Sequence, residues 1–146
     1  MVESMGREHA NDSKTSLGRI FVVEDDPVLA MACEDTLLEA GASEVIICPS
    51  IACTMDQLEN IRPDAIVLDV HLADRDDGWA LAELVDQLGP KRPRIIFSTG
   101  SPEDIPPDIA RMGLLLEKPY APEDLVAALQ SHSEQGLFAR LRSVLR

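Results

Sequence analysis

Basic residues are scarce in this chain. Lys and Arg total 13 against 26 Asp and Glu, a formal net charge of -13. A surface of that sign repels nucleic acid, and no basic stripe interrupts it, so no nucleic-acid partner is expected. Long apolar runs are missing as well. None approaches the ~20 residues of a membrane span, and the opening Met1-Val2-Glu3-Ser4-Met5-Gly6-Arg7-Glu8 lacks the apolar stretch of a secretory signal. No membrane partner and a cytoplasmic location are therefore expected. Cysteine is limited to Cys33, Cys48 and Cys53, an odd number without Cys-x-x-Cys spacing. That argues against a zinc or redox site and for small buried thiols in a reducing compartment. Internal repeats and low-complexity tracts are absent. What is there is 146 residues, 45% hydrophobic and 27% charged, which suits one domain with a real core.

Strand-like and helix-like segments alternate after a polar, aperiodic start. Residues 1–17, with Asn11-Asp12-Ser13-Lys14-Thr15-Ser16, read as a loose tail. Arg19 to Glu24 reads as the first strand. Pro27 to Ala40 follows as a helix, with Asp26 as N-cap, Pro27 at the first helical position and Gly41 as the stop. Glu44 to Cys48 is a second strand. Ser50 caps a second helix, in which Ile51, Met55 and Leu58 share a face, and Pro63 closes it. Asp64 to Asp69 is a third strand and Val70 to Asp77 a polar loop. A third helix spans about Gly78 to Leu88, with Leu81, Leu84, Val85 and Leu88 inward and Gly89-Pro90 as terminator. Pro93 to Ser98 is a fourth strand. The prolines of Ser101-Pro102-Glu103-Asp104-Ile105-Pro106-Pro107 leave room only for a short fourth helix at Asp108 to Met112. Leu114 to Glu117 is a fifth strand, and Pro122 to Ser131 a last helix with Leu125, Val126 and Leu129 inward. Five strands alternating with helices predict an α/β fold, a doubly wound parallel sheet. In Gly136 to Arg146, Leu137, Phe138, Leu141, Val144 and Leu145 form one apolar stripe. A partner or dimer helix and a helix packed on its own domain both account for that stripe.

The charged residues fall at the ends of apolar runs. Glu24-Asp25-Asp26 follows Ile20-Phe21-Val22-Val23, Asp69 follows Ala65-Ile66-Val67-Leu68, and Lys118-Pro119 follows Leu114-Leu115-Leu116. Buried parallel strands read as such runs, and the ligand crevice of an open α/β sheet lies at their carboxyl ends. Carboxylates from adjacent strands would converge there. Mg²⁺ takes oxygen ligands, keeps several waters and needs only one or two carboxylates. A carboxylate also serves as nucleophile toward phosphorus, and the transferred group then wants positive charge and hydrogen-bond donors at its oxygens. Lys118 can supply the charge. The Thr99 hydroxyl and Gly100 N–H, at the end of the fourth strand, can supply donors. Taken singly, each feature has a plain structural explanation: a solvated helix start, a turn, a loop. Asp69 is the hardest to dismiss, because a carboxylate directly after four apolar residues is costly without a partner. Four such features at one end of successive strands point to a phosphoryl site.

These residues resemble the receiver domain of bacterial two-component response regulators, over about residues 19–131. Receivers pair two acids after strand one, here Glu24-Asp25. They carry a phosphoacceptor Asp after strand three, here Asp69, a Thr or Ser with a small residue after strand four, here Thr99-Gly100, and a Lys-Pro after strand five, here Lys118-Pro119. The resemblance implies a flavodoxin-like sheet in the order 2-1-3-4-5, and Mg²⁺ held by Glu24, Asp25, Asp69 and the His71 backbone carbonyl. Three positions depart from the family pattern. Ala73 stands where many receivers have Pro, Gly78 comes one residue late, and Leu115 occupies the switch position usually held by an aromatic. Phe97-Ser98-Thr99-Gly100 and the proline-broken fourth helix resemble a single-domain subfamily with a Phe-Ala-Thr-Gly motif, found mainly in alphaproteobacteria. The His71 side chain is read as an exposed loop residue, since neutral imidazole is a poor Mg²⁺ ligand. His9 and His132 suggest nothing catalytic.

The resemblance therefore implies a stand-alone receiver that takes a phosphoryl group from a sensor histidine kinase onto Asp69. It would be a phosphoacceptor signalling domain and not an enzyme, with Mg²⁺-dependent self-phosphorylation and self-dephosphorylation. The expected division is a tail at 1–17, a receiver at 18–132 and an amphipathic extension at 133–146. The 15 or so residues after the last receiver helix are too few for a helix-turn-helix domain. Output is then expected through a downstream protein or as a phosphate sink, from a monomer or weak dimer. One alternative is a receiver-like interaction module that works without phosphorylation. Another is a phosphatase with an aspartyl nucleophile, but that chemistry wants a second Asp where this chain has His71.

Overall fold

Five parallel strands form one sheet in the order β2-β1-β3-β4-β5, in a computed structural model that describes residues 16–72 and 77–130. The strands are β1 (Gly18–Val23), β2 (Ala42–Cys48), β3 (Ala65–Asp69), β4 (Arg94–Thr99) and β5 (Leu114–Glu117). Between them lie α1 (Pro27–Glu39), α2 (Ile51–Leu58), α3 (Ala80–Asp86) and α4 (Pro107–Ala110), and α5 follows at 122–130. The expected α/β fold and strand order are both observed.

Alternation along the strands builds two cores, one on each face of the sheet. Phe21, Val23, Ile66, Leu68, Ile95 and Phe97 face α2, α3 and α4. Ile20, Val22, Ala65, Val67 and Ile96 face the other way, toward Leu37 of α1 and Leu125 and Leu129 of α5. Both faces of the central strands are dry, which is why they read in sequence as unbroken apolar runs. The two helix caps at the site's end of the sheet form as expected. The Asp26 carboxylate accepts from the Val28 and Leu29 N–H groups at 2.9 and 3.3 Å, and Ser50 Oγ accepts from the Cys53 N–H at 3.0 Å.

Several local expectations are corrected. Leu17, assigned to the tail, is buried with the α1/α5 core, and its N–H donates to the Gly41 carbonyl at 3.2 Å. β1 ends at Val23, so Glu24 already belongs to the loop, and β2 begins earlier, at Ala42. In α3 the inward residues are Leu81, Ala82 and Val85, while Leu84 and Leu88 are 45% and 39% exposed. The helix is only seven residues long, and Leu88 lies beyond its end. In α2, Thr54 is buried beside Ile51 and Met55 is 40% exposed. Val126 of α5 is half-buried. The proline-rich stretch forms a 3-10 turn (Pro102–Asp104) and then α4, which starts at Pro107, where a missing N–H costs a helix nothing. The 136–146 stripe, Ala73, His9 and His132 lie outside the described residues.

Candidate phosphoryl and metal site

The carboxyl ends of β1, β3 and β5 bring the expected charges together. Register places Val23 beside Leu68 and Asp69 beside Ser98. The loop after β1 and the end of β3 therefore open on the same edge. There, one carboxylate oxygen from each of Glu24, Asp25 and Asp69 lies within 4.8 Å of the others. Lys118 reaches in from the end of β5, its Nζ 3.3 Å from Glu24 Oε1 and 3.6 Å from Asp69 Oδ2. The Lys118 N–H also donates to the Thr99 carbonyl at 2.8 Å, which ties the lysine's backbone to the end of β4. The Lys118–Pro119 peptide is cis.

Two of the acids, Asp69 and Glu24, are held by backbone as well as by charge. Asp69 Oδ1 accepts from the His71 N–H at 3.0 Å, and Glu24 Oε2 accepts from the Asp26 N–H at 3.2 Å. Gly78 closes the far end of the loop after β3, its N–H donating to the Val70 carbonyl at 3.1 Å. A Cβ there would lie 2.9 Å from that same carbonyl oxygen, so only glycine fits this close approach.

Electrostatics at the site are strained in a way that suits a cation. Burial, with a further push from the Asp69 charge, holds the Glu24 carboxyl above the usual range, although the Asp26 N–H and the Lys118 charge pull it down. Burial alone would lower the Lys118 ammonium. The Asp69 and Glu24 charges outweigh it and hold Lys118 above the ordinary lysine range. Among the described residues, Glu24 and Asp69 thus share the Lys118 ammonium in a partly buried crevice, with Asp25 beside them. The donor set is all hard oxygen and carries excess negative charge, which fits Mg²⁺.

Thr99 is 1% exposed, and its Oγ1 accepts from the Ser101 N–H at 2.9 Å, leaving the hydroxyl proton to donate elsewhere. Gly100 follows at the exposed end of β4. Leu115, at the switch position, is 44% exposed on β5. The His71 ring lies outside the carboxylate cluster, with Nε2 3.0 Å from Asp104 Oδ2.

Two features escaped the sequence reading. The Tyr120 hydroxyl and Ser98 Oγ are 2.8 Å apart, joining β4 to the segment after Lys118-Pro119. Ser98, at the position where the Phe-Ala-Thr-Gly motif has Ala, is thus the partner of the chain's single tyrosine. Beneath the acids, a cavity of about 380 Å³ opens between α1 and the start of α5. Its lining includes Glu24, Leu29, Cys33, Asp69 and Tyr120. Burial, with the nearby Glu24 charge, pushes the Cys33 thiol up to about 12, so it is an inert packing group at neutral pH.

The response regulator receiver domain model matches residues 20–130, and the chain belongs to that family. Receivers are the phosphoacceptor domains of two-component response regulators; they bind Mg²⁺ through acidic residues and interact with histidine kinases. Among solved structures, a CheY-like receiver domain from Methylobacillus flagellatus is 23% identical. It covers 78% of this chain and 97% of its own, with a TM-score of 0.70. The chemotaxis response regulator CheY4 of Vibrio cholerae is 26% identical over 77% of this chain and 96% of its own, at 0.66. The PhyR stress response regulator, 24% identical, covers 86% of this chain but only 48% of its own, at 0.64. The likenesses to the Methylobacillus domain and to PhyR are of fold alone. A curated relative is the protein-glutamate methylesterase/protein-glutamine glutaminase 1 of Anaeromyxobacter dehalogenans. It is 44% identical over 68 residues, which are 46% of this chain and 19% of the relative. The chain thus matches about a fifth of that protein's length.

Proposed function

We propose that this receiver accepts a phosphoryl group on Asp69 from a sensor histidine kinase, and that residues 18–132 form the working domain. The observation that carries this reading is the setting of Asp69. Its Oδ1 is fixed by the His71 N–H, Lys118 Nζ stands 3.6 Å from its Oδ2, and the Glu24 and Asp25 carboxylates crowd it. In the transfer, an Asp69 oxygen attacks phosphorus while the bond to the donor imidazole nitrogen breaks, and the neutral imidazole leaves. Lys118 neutralises charge on the phosphoryl oxygens, and the Thr99 hydroxyl and Gly100 N–H donate to them. Glu24, Asp25, Asp69 and the His71 carbonyl would hold Mg²⁺, which supplies further charge neutralisation at phosphorus. The same groups support self-phosphorylation by small donors and self-dephosphorylation by water.

Output through a downstream protein or as a phosphate sink, in the cytoplasm, belongs to the same proposal, as does kinship with the Phe-Ala-Thr-Gly subfamily. Phe97, Thr99 and Gly100 and the four-residue α4 support that kinship, while Ser98 departs from it by standing where the motif has Ala. Incubation with acetyl phosphate and Mg²⁺ should add one phosphoryl mass to the intact protein, and Asp69→Asn should abolish it. No adduct from either acetyl phosphate or any kinase of the source organism overturns the proposal. The exposure of Leu115, with no aromatic to couple to Thr99, favours one second reading: an interaction module indifferent to phosphorylation. Partner binding that is identical in Asp69→Asn would select it.

A further inference from the structure

Ser98 is a buried hydroxyl beside the phosphoryl site. It is 4% exposed, and register pairs it with Asp69 on β3 and with Leu116 on β5. Paired residues of parallel strands share a face, so Ser98 and Asp69 stand side by side, roughly 5 Å apart. A buried hydroxyl costs stability unless it is bonded, and the Tyr120 hydroxyl, 2.8 Å from Ser98 Oγ, meets that need. Tyr120 lies two residues beyond Lys118 and packs against the α1/α5 core. The turn Lys118-Pro119-Tyr120 is thus fastened to two consecutive residues of β4. The Lys118 N–H donates to the Thr99 carbonyl at 2.8 Å, and the Tyr120 hydroxyl meets Ser98. Pro119, between the two anchors, has no N–H with which to hold the turn itself. Beyond Tyr120, the Ala121 N–H donates to Asp124 Oδ2 at 3.1 Å, which ties the chain to α5 and not to the sheet.

We propose that Tyr120 is a positioning residue: its hydroxyl bond to Ser98 pins the turn after β5 to β4, and so holds the Lys118 ammonium between Glu24 and Asp69. A lysine needs such an anchor, because its charge ends a flexible stem whose rotamers are free unless its base is fixed. Lys118 Nζ rests 3.3 Å from Glu24 Oε1 and 3.6 Å from Asp69 Oδ2. Tyr120, Ser98, Lys118, Asp69 and Glu24 all border the one cavity of about 380 Å³, and the phenol lies within electrostatic reach of both Lys118 and Glu24. An Ala at position 98 would have no hydroxyl, so the anchor comes with the serine. For its catalytic consequence this inference rests on the phosphoacceptor reading. An ammonium already in place when the phosphoryl oxygens arrive needs no reorganisation during transfer. Misplacing such a group by ~1 Å can cost up to about a hundredfold in rate. Losing the Tyr120 bond while the Lys118 N–H anchor stays intact removes only part of the positioning.

The chain has three lysines, Lys14, Lys91 and Lys118, so the ammonium can be followed directly. Lys91 is exposed and serves as reference. Trace acetylation of the full-length chain with acetic anhydride, at fixed pH in chelator and read by peptide mass spectrometry, gives the ratio of Lys118 to Lys91 labelling. Tyr120→Phe and Ser98→Ala keep the ring and the strand and remove only the bond. Each should raise the ratio about threefold or more, and the double variant should raise it no further than either alone. An unchanged ratio in both single variants overturns the proposal. Loading from acetyl phosphate and Mg²⁺ is the second measurement. Tyr120→Phe should lower the maximal rate of phosphoryl uptake about fivefold at an unchanged half-saturating concentration, and should have no effect in a Lys118→Gln background. A loss of the same size in that background means that Tyr120 acts other than through the lysine, and overturns the proposal; so does an unaltered rate in the Lys118 background. A raised labelling ratio in a chain whose wild type takes up no phosphoryl group upholds the positioning and overturns the phosphoacceptor reading instead.

Discussion

Replacing Asp69 by Asn should stabilise the metal-free protein, although it removes the residue on which the proposed chemistry depends. The carboxylates of Glu24, Asp25 and Asp69 have oxygens within 4.8 Å of one another, and Lys118 Nζ is 3.6 Å from Asp69 Oδ2. At an effective dielectric of ~20, each such pair is worth about 3–5 kcal/mol before screening. Among the described residues, Asp69 therefore meets two repulsions and one somewhat stronger attraction, a net repulsion of about 2 kcal/mol on the same scale. Solvent and counter-ions at this partly open site leave about 1–2 kcal/mol. The Asn oxygen can still accept from the His71 N–H, so that hydrogen bond does not offset the gain. The expected result, in urea or thermal unfolding with a chelator present, is a rise in Tm of roughly 3–8 °C. Mg²⁺ should then work the other way. At ten times its Kd it stabilises wild type by about 1.4 kcal/mol, and it should stabilise Asp69→Asn less, because one oxygen ligand has lost its charge. A variant clearly less stable than wild type in chelator, or an equal Mg²⁺ shift in both proteins, refutes the account of the site as a crowded carboxylate cluster.

Two further outcomes test other parts of the structure. Burial holds the Tyr120 phenol above its ordinary 10.0, against the Ser98 hydrogen bond, which favours the ionised form. A raised folded value means that the neutral phenol is favoured in the native state. Its contribution to stability is thus fully present below pH 10 and lost as pH rises through the folded value. The near-ultraviolet absorbance of this single tyrosine should titrate above 10.0 in the folded protein, and higher still in Ser98→Ala; titration at or below 10.0 would contradict the buried placement. Ser50→Ala should cost about 1 kcal/mol in urea unfolding by removing the cap of α2, with no change in Mg²⁺ affinity. An altered Mg²⁺ affinity would mean that α2 is coupled to the acidic site.

The strand-end charges were legible because a buried parallel strand advertises itself. Ile20 to Val23 and Ala65 to Leu68 have no polar residue to spare, so the first charge after each marks where the sheet meets solvent. Caps were legible for the same local reason: Asp26 and Ser50 act on N–H groups two or three residues ahead. Helical inward faces were read less well. Leu84 and Leu88 fit a helical stripe, but α3 is only two turns long and the sheet beneath it accepts Leu81, Ala82 and Val85 alone. Leu17 looked like the end of a polar tail, because a single apolar residue carries no periodicity. The Ser98–Tyr120 pair spans 22 residues and the His71–Asp104 pair 33, and neither leaves a local signal.

By itself the sequence determined which residues stand at the carboxyl end of the sheet, since strand burial and helix capping act over a few neighbouring positions. Only the tertiary structure decided how close they come. Lys118 and Glu24 are 94 residues apart in the chain and 3.3 Å apart in space. That distance follows from β5 and β1 lying in one sheet whose order no single segment encodes. The same packing left Val28 and Met31 of α1 exposed. Exposure is a property of assembled surfaces, and no run of residues states it alone.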